Sequence, residues 1–353
     1  MTIQAKGYFA ESPSSVLAPF KFERRDPNPT DVVIDILHCG ICHSDIHSAR
    51  NEWGWSKYPF VPGHEIVGRV KAVGGKVSKF KVGELAGVGC MVDSCRGCPS
   101  CDAGLEQYCD KGFTGTYNGE DKIGGTPHKV TFGGYSDKIT VEERFVLRIP
   151  ENLDAAAAAP LLCAGITTYS PLKHWKVGKG QKVGVIGLGG LGHMGVKFAH
   201  AMGAKVVMIT TSPGKGADAK KLGADEVLIS TDEKAMQAAA GSFDFLLNTI
   251  PVGHDTDPYM NLLKRDATMV IVGAVEALKK VNGIPFILRR RSMAGSLIGG
   301  IPETQEMLDF CGKHGIVCDI EKIAMQDVNQ AYDRTVKGDV KYRFVIDMAT
   351  LKA

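Results

Sequence analysis

The sequence predicts an α/β chain that joins two architectures, a compact barrel-like β domain and a doubly wound parallel sheet. Three observations carry that reading. At 353 residues the chain exceeds the roughly 250–300 residues at which single cores stop growing. Between residues 31 and 149, short β-branched runs are punctuated by Gly and Pro, without regular alternation of strand and helix. From residue 181 onward that alternation begins, and it opens on QKVGVIGLGGLG, Gln181 to Gly192.

Taken in order, residues 31–38, DVVIDILH, read as the first clear strand, bounded by Pro27, Pro29 and Gly40. A second is expected from Glu65 to Val73, closed by Gly74 and Gly75, and two more from Tyr135 to Val141 and Arg144 to Ile149. The Ala-rich stretch from Asp154 to Leu162 is too short, and too interrupted by Pro160, for a membrane span. It reads as helix at a domain junction.

The β-branched run Val183, Val185, Ile186 then ends in Gly187-x-Gly189-x-x-Gly192. Apolar residues Met194, Phe198 and Met202 follow at helical spacing. Strand, tight turn and helix in this order form a dinucleotide-binding unit. Gly187 makes the turn, Gly189 admits a pyrophosphate, Gly192 lets helix pack on strand, and Leu188, Gly190 and Leu191 complete the loop. The second strand is KVVMIT, Lys205 to Thr210, and its end bears on which dinucleotide is bound. An NAD site normally carries an acidic residue there; this chain has Thr210, Thr211, Ser212 and Lys215. Hydroxyls and a cation suit a 2′-phosphate, and no carboxylate repels it.

Alternation continues through VLIS, the segment Lys234 to Ala240, FDFLLNT and ATMVIVGA (267–274), and residues 295–300, GSLIGG, are expected to close the sheet. Beyond Pro302, the pattern Met307, Leu308, Cys311 marks a helix and Tyr342 to Asp347 a strand.

Hydrophobic content of 44% and charged content of 23% are ordinary for a globular protein. The 42 basic and 39 acidic residues are interspersed, which argues against a nucleic-acid surface. No apolar run approaches the ~18 residues of a spanning helix, and the N-terminus lacks a signal-type apolar core, so a cytoplasmic location is expected. In such a reducing compartment, ten cysteines read as metal ligands, a nucleophile or buried apolar residues rather than disulfides.

Their spacing sorts them. Cys95, Cys98, Cys101 and Cys109 lie within fifteen residues broken by Gly97, Pro99 and Gly104, a density that suits a closed tetrahedral zinc site with four thiolate ligands. Cys42, in CGICHSDIH, His64, in PGHE, and Cys163, in LLCAGITTY, come from three separated loops. Two thiolates and an imidazole form the open, three-ligand set of catalytic zinc.

Together CGICHSDIH, YPFVPGHEIVG, the four-cysteine lobe, LLCAGITTY and GLGGLGHMGVKFA resemble the zinc-dependent medium-chain alcohol dehydrogenases. The HMGVKFA helix and GGYSDKITV resemble the branch of cinnamyl alcohol dehydrogenases and NADP-dependent aldehyde reductases. The resemblance implies a GroES-like catalytic domain, residues 1–155 and 300–353, with a Rossmann cofactor domain, 156–299, inserted. It implies two zinc ions and NADP(H), a small alcohol or aldehyde substrate, and a homodimer, with a tetramer as the alternative. Cys42, His64 and Cys163 would hold the catalytic zinc, with Glu65 near enough to exchange with water. Cys95, Cys98, Cys101 and Cys109 would hold the structural one.

Ser44 and His47 match the family's proton relay, Asp45 the carboxylate that orients the zinc-bound imidazole, and Thr167 a cofactor contact. Trp53 and Trp55 fall where the family lines its substrate pocket, although ordinary core aromatics would read alike. Cys39, Cys90, Cys311 and Cys318 are left as buried apolar residues. A polyol dehydrogenase would carry a carboxylate in place of Cys163, and a zinc-free quinone reductase would lack both metal sets. A non-catalytic NADPH-binding redox sensor has no need of the relay residues Ser44 and His47.

Overall fold

The computed structural model describes residues 2–124, 128–273, 276–278 and 281–352. It divides into two units, Met1–Cys163 with Gly299–Ala353, and Ala164–Ile298.

The first unit is built on a seven-stranded sheet whose central strand is Asp31–Gly40. Val32, Val33 and Ile34 are buried in succession, as befits a strand covered on both faces. One edge pairs antiparallel with Ile66–Val73. The other pairs first with Lys138–Glu142 and then, at Cys39 and Gly40, with Arg343–Asp347 from the C-terminal return. The chain therefore leaves Gly40 for Cys42 beside a strand about three hundred residues away in sequence.

Two of the expected strands are shorter than their β-branched runs. Residues 133–135 do not enter the sheet, because their N–H groups bond the carbonyls of Val61, Gly63 and Pro62 instead. Glu143–Phe145 turns as a 3-10 helix capped by the Glu142 side chain, leaving Leu147–Arg148 as the strand. The Ala-rich segment forms a helical turn, Ala155–Ala158, continued by Ala159–Leu162. Its methyl groups are buried and Cys318 N donates to Ala157 O, so the units part between Cys163 and Ala164, later than the expected break after residue 155.

The second unit is a six-stranded parallel sheet. Numbered within the unit, Lys182–Ile186 is the first strand, followed by Lys205–Thr210, Glu226–Ile229, Phe243–Asn248, Leu263–Ile271 and Ser292–Gly295, in spatial order 3-2-1-4-5-6. That order defines the doubly wound dinucleotide fold, with the switch point beside the first strand. Val207, Ile209, Phe243, Leu246 and Met269 pack in its core. The expected strand 267–274 ends at Ile271, and its last residue, Ala274, lies outside the described residues.

GSLIGG does not close the sheet. The closing strand is Ser292–Gly295, paired with Thr268–Ile271. Its start is fixed by buried Arg291, whose guanidinium donates to Leu263 O at 2.8 Å and Asn261 O at 3.1 Å, so only Gly295 of that motif is left in register. Among the described residues no single helix is long and apolar enough to cross a membrane.

The glycine turn follows the sequence reading atom by atom. Gly187 has φ +93°, and a Cβ at Gly192 would lie 1.8 Å from Gly187 O, whereas one at Gly189 would meet nothing within 4 Å. Gly192→Ala should therefore lose about 1–3 kcal/mol of stability in a denaturant titration. Gly189→Ala should stay within about 0.5 kcal/mol of the parent and show its loss only in cofactor binding.

Candidate active site

Cys42 stands at the N-terminus of the helix His43–Ala49. Its N–H donates to Asp45 Oδ2 at 2.8 Å, which ties the ligand-bearing residue to the first turn of its own helix. Asp45 is fully buried and also accepts from Gly63 N at 3.0 Å. Gly63, at φ +101°, allows the chain to present both that N–H and the next residue, His64. His64 Nδ1 meets Asp45 Oδ1 at 3.1 Å, so Nε2 is the ring nitrogen left for a metal. Tyr117 packs edge-on against this imidazole, 5.3 Å between ring centres.

Ligand atoms of Cys42, His64, Glu65 and Cys163 all lie within 4.8 Å of one another, and all four residues are buried. Cys42 Sγ and Cys163 Sγ are 3.9 Å apart. A zinc–sulfur bond of about 2.3 Å gives a tetrahedron edge of about 3.8 Å, so the spacing suits zinc and excludes a disulfide. The Cys163 contact holds the Cys42 thiol well below the usual range, while the same contact and burial push Cys163 well above it; the first proton is the easily lost one.

Glu65 is also wholly buried. Its Oε1 takes a hydrogen bond from the Arg343 guanidinium and its Oε2 has no partner. Burial raises the carboxyl to about 8 against the pull of Arg343. An unpartnered buried carboxylate oxygen amid two thiols and an imidazole is the signature of a cation site, and this set fits zinc.

The second quartet is equally tight. Cys95, Cys98, Cys101 and Cys109 place their sulfurs within 4.8 Å of one another, with Cys98–Cys101 at 3.5 Å and Cys95–Cys101 at 3.9 Å. Backbone N–H groups of Asp110 and Cys101 pull Cys98 down to about 6, favouring the thiolate a metal requires. The lobe is anchored to the rest of its unit by Glu106, whose carboxylate accepts from Ile301 N at 2.9 Å.

Of the relay candidates, Ser44 is half-buried with its hydroxyl 3.5 Å from Cys42 Sγ. His47 lies on the same helix, its Nδ1 in close contact with Glu52 Oε2, and its ring is 5.2 Å from Trp53. Trp53 stacks on Trp55 at 5.8 Å, and Trp55 is 59% exposed, so neither is a core aromatic.

The cofactor candidates lie in the second unit. Thr210 is buried with its hydroxyl oxygen accepting from Ser212 N at 3.2 Å, while Thr211 and Lys215 are exposed. Lys215 Nζ reaches back to Leu188 O at 3.1 Å, joining the end of the second strand to the glycine turn. The open space above Gly189 beside that lysine fits a phosphate-bearing nucleotide. Thr167 is buried in the helix Ala164–His174.

Three contributors are absent from the sequence reading. Arg343 was visible only as a base within the apolar run YRFVID, a position that a lone charge occupies only when paired. Glu52 carried no local signal. Cys90, read as a buried apolar residue, is half-buried and beside the metal set; hydrogen bonding with Cys163 pulls it down to about 6. Cys39, Cys311 and Cys318 are buried.

Comparison with known proteins agrees with this arrangement. A family model described as alcohol dehydrogenase GroES-like domain matches residues 28–151, and one described as zinc-binding dehydrogenase matches 190–313. The chain is 57% identical over 356 residues to aldehyde reductase YahK of Escherichia coli (strain K12), covering 99% of each. It is similar to a cinnamyl alcohol dehydrogenase structure from Sorghum bicolor, with a TM-score of 0.94, 46% identity and 99% of both chains covered. It is also similar to the structure of CAD from Helicobacter pylori complexed with NADP(H), with a TM-score of 0.91, 42% identity and 100% of both chains covered. The chain belongs to the zinc-dependent medium-chain alcohol dehydrogenases, in the cinnamyl-alcohol-dehydrogenase branch.

Metal analysis of the purified protein should find two zinc ions per chain. Cys42→Ala should retain one and keep its thermal midpoint. Cys98→Ser should lose the other and melt markedly earlier, because structural zinc contributes folding free energy directly. One zinc or none in the unmodified protein would contradict the assignment.

Proposed function

We propose that this zinc- and NADP(H)-dependent oxidoreductase interconverts primary alcohols and aldehydes by hydride transfer, acting best on aromatic and allylic aldehydes. The observation that carries the substrate class is the ring stack of Trp55, Trp53 and His47, a flat apolar wall that favours planar substrates over short aliphatic ones. The names of its relatives, an aldehyde reductase and cinnamyl alcohol dehydrogenases, support the same class.

Cys42, His64 and Cys163 would hold the catalytic zinc, with the Glu65 carboxylate among them, and the four-cysteine lobe would hold the structural zinc. When bound at the first site, zinc supplies a Lewis acid that stabilises charge on the substrate oxygen, worth several kcal/mol. The chain's own residues manage the proton. Ser44, its hydroxyl beside Cys42 Sγ, would pass a proton to the substrate oxygen. His47, whose Nδ1 is held by Glu52, leaves Nε2 for exchange with solvent. Thr211, Ser212 and Lys215 would hold the 2′-phosphate of NADPH.

Turnover measured with both cofactors and an aldehyde panel tests this reading. NADPH should be preferred, Thr211→Asp should move the preference at least tenfold toward NADH, and cinnamaldehyde-like substrates should exceed short aliphatic ones. Ser44→Ala should cut kcat by about 100-fold or more with NADPH affinity nearly intact. Equal efficiency with the two cofactors, or full turnover without the Ser44 hydroxyl, would contradict the cofactor and relay assignments respectively.

Among the described residues, one edge of the six-stranded sheet has no strand beyond it. Ser292–Gly295 ends the six-stranded sheet, and the short helix before it exposes Ile287 at 77% and Leu288 at 74%. A second copy adding its own edge strand across a two-fold axis would continue the sheet and cover both residues. We place this homodimer in the cytoplasm, where cysteines without disulfide partners stay reduced. Sedimentation should give a dimer that Leu288→Glu converts to monomer; a monomeric parent would overturn the interface.

A further inference from the structure

The Asp45 carboxylate has a fourth donor, and it comes from outside the metal loops. Tyr135 is fully buried, and its hydroxyl lies 3.4 Å from Asp45 Oδ2, the oxygen that also takes the Cys42 N–H. The backbone around it is tied to the other ligand loop. Gly133, Gly134 and Tyr135 donate their N–H groups to Val61 O, Gly63 O and Pro62 O, the three residues that lead into His64. Packing is as close as bonding: a Cβ on Gly63 would come within 2.6 Å of Tyr135 Cδ1. The ring also meets Tyr332 of the C-terminal return, 6.3 Å away between centres, and the two hydroxyls interact.

One side chain thus touches the turn before His64 and the carboxylate that orients Cys42 and His64 together. We propose that Tyr135 is a positioning residue for the catalytic metal, its hydroxyl completing the donor set of Asp45 so that His64 and Cys42 stay in ligand geometry. The inference rests on reading Cys42, His64 and Cys163 as the catalytic zinc set. Each Asp45 oxygen then takes two donors, Gly63 N and His64 on Oδ1, Cys42 N and Tyr135 on Oδ2. Removing the Tyr135 donor leaves Oδ2 with the Cys42 N–H alone, so the carboxylate edge that fixes the imidazole plane is held by three donors instead of four. Groups that orient metal ligands in this way are typically worth about 10- to 100-fold in metal affinity.

Tyr135→Phe keeps the ring, its packing against Gly63 and the backbone pairing, and removes only the hydroxyl. The experiment loads the catalytic site with cobalt and the lobe with zinc, then follows the cobalt absorption bands and release of each metal to a chromogenic chelator, in parent and variant. Cobalt release about tenfold faster in Tyr135→Phe, with shifted bands and an unchanged rate at the four-cysteine lobe, is the expected result. Parent-like cobalt release and bands overturn the proposal. So does faster release from both sites, which would mark general loosening rather than action through Asp45. Failure of the underlying reading looks different: cobalt in the unmodified protein would show no thiolate-ligated absorption bands, and the inference would fall with it.

Discussion

Asp45 accepts hydrogen bonds from Cys42 N, Gly63 N and His64 Nδ1 on one carboxylate that water does not reach. Burying a charge without such partners would be strongly unfavourable, and here both carboxylate oxygens have donors. The consequence is geometric as much as energetic. Two loops that share no strand pairing at these residues are brought to a common anchor, and the thiol and imidazole they carry converge. Gly63 adopts a backbone conformation that a side chain would resist, because its N–H must turn toward that anchor. The first metal set is organised around an anion that does not itself ligate.

A second buried charge does comparable service from the opposite end of the chain. Arg343 lies on a strand that pairs with the end of Asp31–Gly40, so the peptide leading to Cys42 and the guanidinium that meets Glu65 are adjacent by sheet register. That adjacency gives the barrel unit a reason to recover its C-terminal segment after the parallel sheet is complete. Without the return, Glu65 would lose the guanidinium that meets its Oε1, and the strand ahead of Cys42 would lose a neighbour.

The parts of this protein legible in its sequence are those whose geometry is local. Four cysteines within one short lobe could hardly fold without their sulfurs meeting, and a strand, three spaced glycines and a helix specify one turn. Loops far apart were placed by resemblance, and the partners those loops recruit were not placed at all. Glu65 and Arg343 meet through a sheet pairing that neither segment announces. Tyr135 sits in a stretch that reads as strand by its β-branched followers, yet its own N–H is taken by Pro62 O. GSLIGG reads as the last strand because it is apolar, but register was decided by Arg291, whose bonds to Asn261 and Leu263 no periodicity encodes. Cys90 illustrates the same limit: a half-buried thiol and a core thiol look alike in a sequence.

The chain has three tryptophans, and two of them, Trp53 and Trp55, form the stack beside His47 while Trp175 is itself only half-buried. Two of its three ultraviolet emitters therefore stand beside the site, while Trp175 packs against buried Phe245. A ring 59% exposed in the native state, that of Trp55, already emits from an aqueous environment, so unfolding changes its colour little. Arrival of a planar molecule alters its surroundings directly. Fluorescence from this pair is consequently an unlabelled gauge of occupancy at the site.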